Sequence, residues 1–467
     1  TLRNGRKRRA AQNDIIAEAQ SAVKAGNYVI LTGPINSPST KALIADFLKS
    51  NPGGRHLEMR PDPTLRQILE GQAASYGDRI VPFYRFDRAE LVVTIEADFM
   101  GTMPGSSAYT ADYMRGRDLR AKGSKYNSLI AFESMFTVTG SNAESRVPIR
   151  PGDAVTVALS LAAHINNGLK QGKFAGNGQV SDLLKNYMPE KVASALGIEA
   201  QAISSAADAL WKYRGRSLVV GGSPQSAVGK AAALAIAVNL LNSILENDGV
   251  TVDHAHALGL SAGSSEKEIL ELVEDLQNGK VKSVIMAGAN PVYHLPSSLK
   301  VKEALSNANY VLSITDHIDE STLAAKAALP VSHYLESWGD VEIVKGVRSV
   351  VQPAIRPLYN TSSLEDYLIQ IAGGSLGGAS SFHEYLKSRW ADVAKGSFND
   401  FWIKTLQAGF LASTSLKGQA ANRNFNTAAL QALPVSPETK AGLRVGLYYN
   451  VQVLDGTGAN NAYRQEL

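Results

Sequence analysis

Val284-Ile-Met-Ala-Gly-Ala-Asn-Pro291 and Tyr310-Val-Leu-Ser-Ile-Thr-Asp-His317, separated by one helix's length, set the architecture of this chain. Each is a short apolar run that gives way to small or acidic residues, as a parallel strand does where its carboxyl end opens onto a cleft. The second continues through Asp319-Glu-Ser-Thr322 into an alanine-rich helix and Ala328-Leu-Pro330, and the region closes with Glu336, Gly339 and Asp340.

The same alternation extends outward. Ile15 to Ala25 has the apolar spacing of a helix and ends at Gly26; Tyr28-Val-Ile-Leu31 is a strand that opens onto Thr32-Gly-Pro-Ile-Asn-Ser37, and a helix follows over Ser39 to Leu48. Further strands are predicted at Glu90 to Ile95, leading into Glu96-Ala-Asp98, and at Ser128 to Phe132, leading into Glu133-Ser134. A turn-rich bridge, Arg146 to Asp153, precedes a helix over Ala154 to Asn166 that Asp153 is placed to cap. Gly176 to Trp211 is largely helical, and Ser217-Leu-Val-Val-Gly-Gly222 begins a second series. Beyond Gly373 the pattern loosens into Gly/Ser turns, an amphipathic helix around Phe382 to Lys395, and a last strand at Gly442 to Asn450. The expected fold is α/β, with two parallel-sheet, Rossmann-like domains covered by helices on both faces and an irregular C-terminal extension. The expected boundaries are 1–170, 171–372 and 373–467.

The 467 residues, 44% hydrophobic and 19% charged, are enough for a substantial core. A formal charge of +4, with no basic stripe interleaved with aromatics, argues against nucleic acid as a partner. The chain contains no cysteine, which excludes disulfides, thiol catalysis, cysteine-ligated zinc and iron–sulfur clusters held by this chain. The longest apolar run, Ala231 to Leu241, is far short of the ~20 residues that cross a bilayer. Arg3 to Arg9 is a basic run suited to a solvated tail or to an anionic lipid or acidic partner, with no apolar signal core after it. The chain opens on Thr1, so a processed or partial chain is expected.

Gly221 to Lys230 looks at first like a phosphate-binding loop. It has Pro224 where the first glycine belongs and Ala231 where a magnesium-binding hydroxyl belongs. No Gly-x-Gly-x-x-Gly follows a strand, and no Gly-x-Ser-x-Gly elbow supports a serine nucleophile. Asp253-His-Ala-His256 could supply metal ligands but is expected in a loop with no third ligand; His317 and His333 are expected to be structural. Glu96, Asp98 and Glu133 fall at carboxyl ends of strands. There they either serve acid–base chemistry or cap the turns that follow.

Taken in order, Leu218-Val-Val-Gly-Gly222, Ala235 to Gly249, Gly288-Ala-Asn-Pro291 and Thr315 to Thr322 through Pro330 resemble the molybdopterin oxidoreductase family over most of residues 15 to 370. More narrowly, Gly288 to Pro296, Ser332 to Asp340 and Arg356 to Thr361 resemble the large iron–sulfur/molybdopterin-like subunit of alternative complex III, a bacterial quinol:electron acceptor oxidoreductase. The resemblance places Gly288, Asn290, Asp316, Glu320 and Thr322 along the edge that faces the pterin nucleotide in cofactor-bearing relatives. It also implies departures: Glu133 stands in Phe132-Glu-Ser134 where those relatives have Asp-Pro-Arg, and Glu96-Ala-Asp98 stands where they have Gly-x-Asn. The expectation is therefore a vestigial cleft formed by Gly288, Asn290, Asp316, Glu320, Thr322 and Glu133, with no catalytic residue, metal ligand or cofactor in this chain. The resemblance further implies partners: an iron–sulfur cluster domain or subunit, a multihaem cytochrome c subunit and integral membrane quinol-binding subunits. Iron–sulfur clusters and haem c would belong to those partners, and the chain would lie peripherally on the periplasmic side of the cell membrane. The alternative is the catalytic subunit of an active molybdopterin-dependent oxidoreductase.

Overall fold

A computed structural model describes residues 2–3, 6–7, 9–60, 63–118, 120, 126–222, 231–412 and 423–437, and beyond these 446, 448, 450, 453, 456–459 and 461–466. Most of the phosphate-loop-like segment, at 223–230, most of the strand expected at 442–450, and the side chains of the basic run before Arg9 lie outside the described residues.

The polypeptide forms two compact units, each assembled from two separated stretches. Unit 1 is Thr1–Pro61 with Gly259–Ser415, and unit 2 is Asp62–Leu258 with Leu416–Leu467. In chain order, unit 1 contributes β1 (Tyr28–Thr32) and β2 (Gly54–Glu58). Unit 2 contributes β3 (Leu91–Ile95), β4 (Ser128–Glu133), β5 (Ser145–Pro148) and β6 (Ser217–Gly221). The chain then returns to unit 1 for β7 (Ser283–Ala287), β8 (Tyr310–Thr315) and β9 (Ala327–Pro330). All these strands pair in parallel, in the orders β2-β1-β7-β8-β9 and β5-β4-β3-β6. The strands β1, β3, β6 and β7 are buried along their whole length, which is why they read as unbroken apolar runs instead of alternating ones.

The helices start where the local chemistry dictates. Pro38–Ser50 has proline in its first turn and Ser37 as N-cap, accepting from Thr40 N at 3.0 Å. Glu266–Gln277 opens with a capping box formed by Ser265 and Glu268. Helix Ala231–Ile244 is the buried centre of unit 2, and its two asparagines are both hydrogen-bonded. Asn239 accepts from Gln72 Nε2 and donates to Ser75 Oγ, both at 3.0 Å. Asn242 bridges Val219 N and O on β6 at 3.1 and 2.8 Å. Asn239 thus ties this helix to helix Pro63–Tyr76, and Asn242 ties it to the sheet.

Each sheet has one point where strand order reverses. In unit 1 it lies between β1, whose chain moves outward to β2, and β7, whose chain moves the other way to β8 and β9. In unit 2 it lies between β3 and β6. Ligands of open α/β sheets bind outside the carboxyl ends of strands at such points.

Three expectations are corrected. The domains are not consecutive: β1 and β7 pair along five residues, Tyr28 with Ser283 through Thr32 with Ala287, so the N-terminal strands complete the sheet of the later series. The C-terminal part is no separate extension, because helices Phe382–Ala391 and Phe398–Ala408 join unit 1 while Phe425, Leu430 and Leu433 enter the core of unit 2. The Asp253-to-His256 segment is not a loop; it lies in a strand, Val252–Leu258, that pairs antiparallel with Val81–Tyr84. Asp153 does occupy the N-cap position of Ala154–Ala163, though without a side-chain cap bond.

Candidate functional site

At the reversal point of unit 1, the turns after β1 and β7 touch backbone to backbone. Gly33 N donates to Ala287 O at 2.9 Å, and a Cβ at Gly33 would lie 2.3 Å from Gly288 O. Gly288 itself is left-handed, with φ of +62°. Next to it Asn290 caps the helix Pro291–His294 and forms a small network, accepting from Ser321 Oγ at 2.6 Å and donating to Glu320 Oε2 at 2.8 Å. That amide donor holds the Glu320 carboxyl below the usual range. Thr322 is fully buried, and its hydroxyl is paired with Ser313 Oγ on β8 at 2.8 Å. Asp316 is exposed and pairs with His317 Nδ1 at 2.5 Å. Gly288, Asn290, Glu320 and Thr322 thus belong to one loop system, in which Thr322 is a structural tie and Asp316 faces solvent.

Sequence reasoning named Asp340 without a role and missed Glu58, two carboxylates on this edge. Asp340 is buried at the start of helix Pro38–Ser50, where its Oδ1 accepts from Ser37 Oγ at 2.5 Å and Ser39 N at 3.2 Å. Its Oδ2 accepts from Ser39 Oγ at 2.6 Å and Trp390 Nε1 at 3.1 Å. A helix N-terminus presents free N–H groups and a positive dipole end, so an anion belongs there, and the chain supplies its own. Glu58, at the end of β2, accepts from Ile35 N at 3.0 Å and from Ser261 Oγ. The signal available in sequence was the Ser37-Pro-Ser-Thr40 cap, which implies an anion without saying which residue provides it.

At the carboxyl ends of β3 and β4 in unit 2, three more carboxylates take up backbone donors. Glu96 is buried with a left-handed backbone, φ of +50°, and accepts from Ser134 N at 3.0 Å. Burial pushes its carboxyl pKa up, opposed by the bonds from Ser134 and reinforced by the charge of Glu133. Asp98 accepts from Thr139 N at 3.1 Å and Thr139 Oγ1 at 2.7 Å. Glu133 accepts from Thr137 Oγ1 and Arg146 Nε, both at 2.6 Å, and from Thr137 N at 3.4 Å. Arg146, read from sequence only as part of a turn, neutralises Glu133 from β5. Glu133 therefore lies in unit 2 and the Gly288–Thr322 group in unit 1, so the residues expected to line the cleft belong to two loop systems, one on each unit.

The two histidines of the Asp-His-Ala-His segment go to different partners, because the register of their strand shifts between Asp253 and Leu258. His256 Nδ1 pairs with Asp253 Oδ2 at 2.8 Å, whereas the buried His254 ring packs on Tyr76 with Nε2 3.7 Å from Asp248 Oδ1. His333 caps the turn Tyr334–Glu336. Among the described residues no group of three or more His, Asp or Glu side chains is arranged to hold a metal ion. No helix among them is long and apolar enough to cross a membrane.

A pyrophosphate of a pterin nucleotide does not fit the residues described at these two edges. The donors it needs are engaged: Ser134 N by Glu96, Thr137 N by Glu133, Thr139 N by Asp98, Gly140 N by Thr137 Oγ1 and Ser39 N by Asp340. The hollows left by glycines are filled as well, since a Cβ at Gly140 would lie 1.8 Å from Glu133 Oε1 and one at Gly101 2.2 Å from Asp98 Oδ2. Displacing bonded carboxylates by a second anion in a desolvated edge costs several kcal/mol as an order of magnitude.

Comparison with known proteins gives a consistent picture. A family model described as "Molybdopterin oxidoreductase" matches residues 15–364. The "Menaquinone reductase, molybdopterin-binding-like subunit" of Nitratidesulfovibrio vulgaris is 28% identical over 329 residues, 66% of this chain and 47% of that protein. The "Assimilatory nitrate reductase catalytic subunit" of Bacillus subtilis is 26% identical over 157 residues, 33% of this chain and 21% of that protein. Among solved structures, acetylene hydratase from Pelobacter acetylenicus matches with a TM-score of 0.64 at 14% identity, covering 88% of this chain and 65% of that one, which shows the fold alone. The chain thus spans half or less of the length of these curated relatives.

Proposed function

The chain belongs to the molybdopterin oxidoreductase family, and from that membership we propose that it is a cofactor-free scaffold subunit of a membrane-associated quinol:electron acceptor oxidoreductase of the alternative complex III type. It organises neighbours that carry iron–sulfur clusters and haem c, beside integral membrane quinol-binding subunits on the periplasmic side, and carries no electron itself. The observation that bears this proposal is the occupation of the nucleotide-type donors by Glu96, Asp98, Glu133 and Asp340. The absence of cysteine adds support, because no cluster can be ligated by this chain. Support for a quinone-linked assembly comes from the menaquinone reductase relative, itself named as a molybdopterin-binding-like subunit.

The test is elemental and chemical analysis of the natively purified protein. Molybdenum and extractable pterin are expected to be far below one per chain, with haem and iron–sulfur proteins co-purifying and quinol oxidation in the intact assembly. Stoichiometric molybdenum with pterin overturns the proposal in favour of an active catalytic subunit, which is what the nitrate reductase relative is by name. Recovery of the chain alone, without haem or iron–sulfur partners, removes the scaffold role.

A further inference from the structure

Resting on the cofactor-free reading above, we propose that Glu133 is a built-in ligand: the chain fills its own oxyanion site with this carboxylate, and the site takes a free phosphate or small carboxylate once that side chain is removed. The site lies in the turn after β4. Arg146 Nε and Thr137 Oγ1 each donate to the Glu133 carboxylate at 2.6 Å, and Thr137 N donates at 3.4 Å. A guanidinium, a hydroxyl and a backbone N–H converging on one point form an oxyanion-binding donor set.

Gly140 is the independent mark of a built cradle. Any side chain there would run into Glu133 Oε1, at 1.8 Å from an added Cβ, so the wall is hollowed to the shape of a carboxylate oxygen. An ordinary surface ion pair needs no such hollow. Glu133 is 4% exposed, whereas the Arg146 side chain keeps 27% of its surface in water and stacks over the outward-facing Phe136 ring at 5.0 Å. Solvent, and with it a small anion, therefore reaches the cationic side of the site. Filling the site from within holds the 134–140 turn in shape with no bound nucleotide.

The experiment compares thermal unfolding of the full chain and its Glu133→Ala variant in sodium formate, sodium phosphate and sodium chloride at matched ionic strength. The variant is expected to unfold earlier in chloride and to regain about 3 °C in formate or phosphate at roughly tenfold the dissociation constant. The wild-type chain should gain no such increment, and adding Arg146→Met to Glu133→Ala should abolish the gain. Formate and phosphate acting on the variant no better than chloride, or equally on the wild type, overturn the proposal. If the variant does not fold in chloride, dilution from urea into formate decides: folding there supports the proposal, and failure in both salts overturns it. Pterin and molybdenum content of the wild-type chain tests the underlying reading separately. Bound pterin ends that reading whatever formate does to the variant, while a variant indifferent to anions ends this proposal even if no pterin is found.

Discussion

Replacing Asp340 by alanine removes the anion at the start of helix Pro38–Ser50 and leaves four donors without their acceptor: Ser37 Oγ, Ser39 N, Ser39 Oγ and Trp390 Nε1. Two of the donor side chains, Ser39 and Trp390, are buried, at 2% and 0% exposure, so water cannot replace the carboxylate there. A buried donor left unsatisfied costs about 1–3 kcal/mol, and loss of a carboxylate at a helix N-terminus about 0.3–1 kcal/mol more. The half-buried Ser37 hydroxyl adds little, because water can accept its proton while its oxygen still caps Thr40. The expected loss for D340A is about 4 kcal/mol, a large part of the ~5–15 kcal/mol that a folded domain possesses. Urea unfolding followed by tryptophan fluorescence reads this loss in the right place, since Trp338, Trp390 and Trp402 lie in unit 1 and only Trp211 lies in unit 2. At a slope of about 3 kcal/mol per molar, the unit 1 transition should fall by roughly 1 M or more. A midpoint shift worth less than about 1 kcal/mol would show that the Asp340 bonds are not the closure of this helix start.

The Glu96 carboxyl is raised in the folded chain by burial, so the unfolded chain releases that proton first as pH increases. Its ionisation therefore lowers stability progressively from the ordinary carboxylate range up to its folded pKa, and the deficit persists above that. E96Q keeps the acceptor for Ser134 N and should be more stable than wild type at neutral pH, with the advantage vanishing in acid; thermal unfolding between pH 4 and 8 that shows a constant difference counts against this. Gly140→Ala must displace the Glu133 carboxylate, and it should cost about 2 kcal/mol in chemical denaturation as overpacking strains the Arg146 pair. Gly33→Ala pushes a methyl against Gly288 O across the β1–β7 contact, where backbone must give, and should lower the unit 1 transition by about 2–3 kcal/mol. A neutral result for either alanine means that the close approaches relax at no cost.

Parallel strands were legible because burial on both faces makes a strand unbroken in hydrophobicity, a local property visible at Tyr28–Thr32 and Ser283–Ala287 without any partner. The carboxylates at strand ends were legible for the same reason, being neighbours in sequence of the strands they follow. The cysteine-free composition likewise excluded ligated clusters by itself.

The partners of those carboxylates were not legible. Asp340 meets Ser39 across 301 positions, and Arg146 meets Glu133 across a turn that looked like mere connection. A helix N-terminus asks only for negative charge, and any of several acidic residues could supply it, so the sequence marks the demand without naming the donor of charge. Nor could it show that β1 pairs on its other side with β7, more than two hundred residues later, because parallel pairing is chosen by packing of whole sheets. Strand identity and the acidic character of the strand ends were fixed by local chemistry. Whether those acids would act, repel a ligand or fill its place depended on which donors the tertiary fold brought within hydrogen-bond reach.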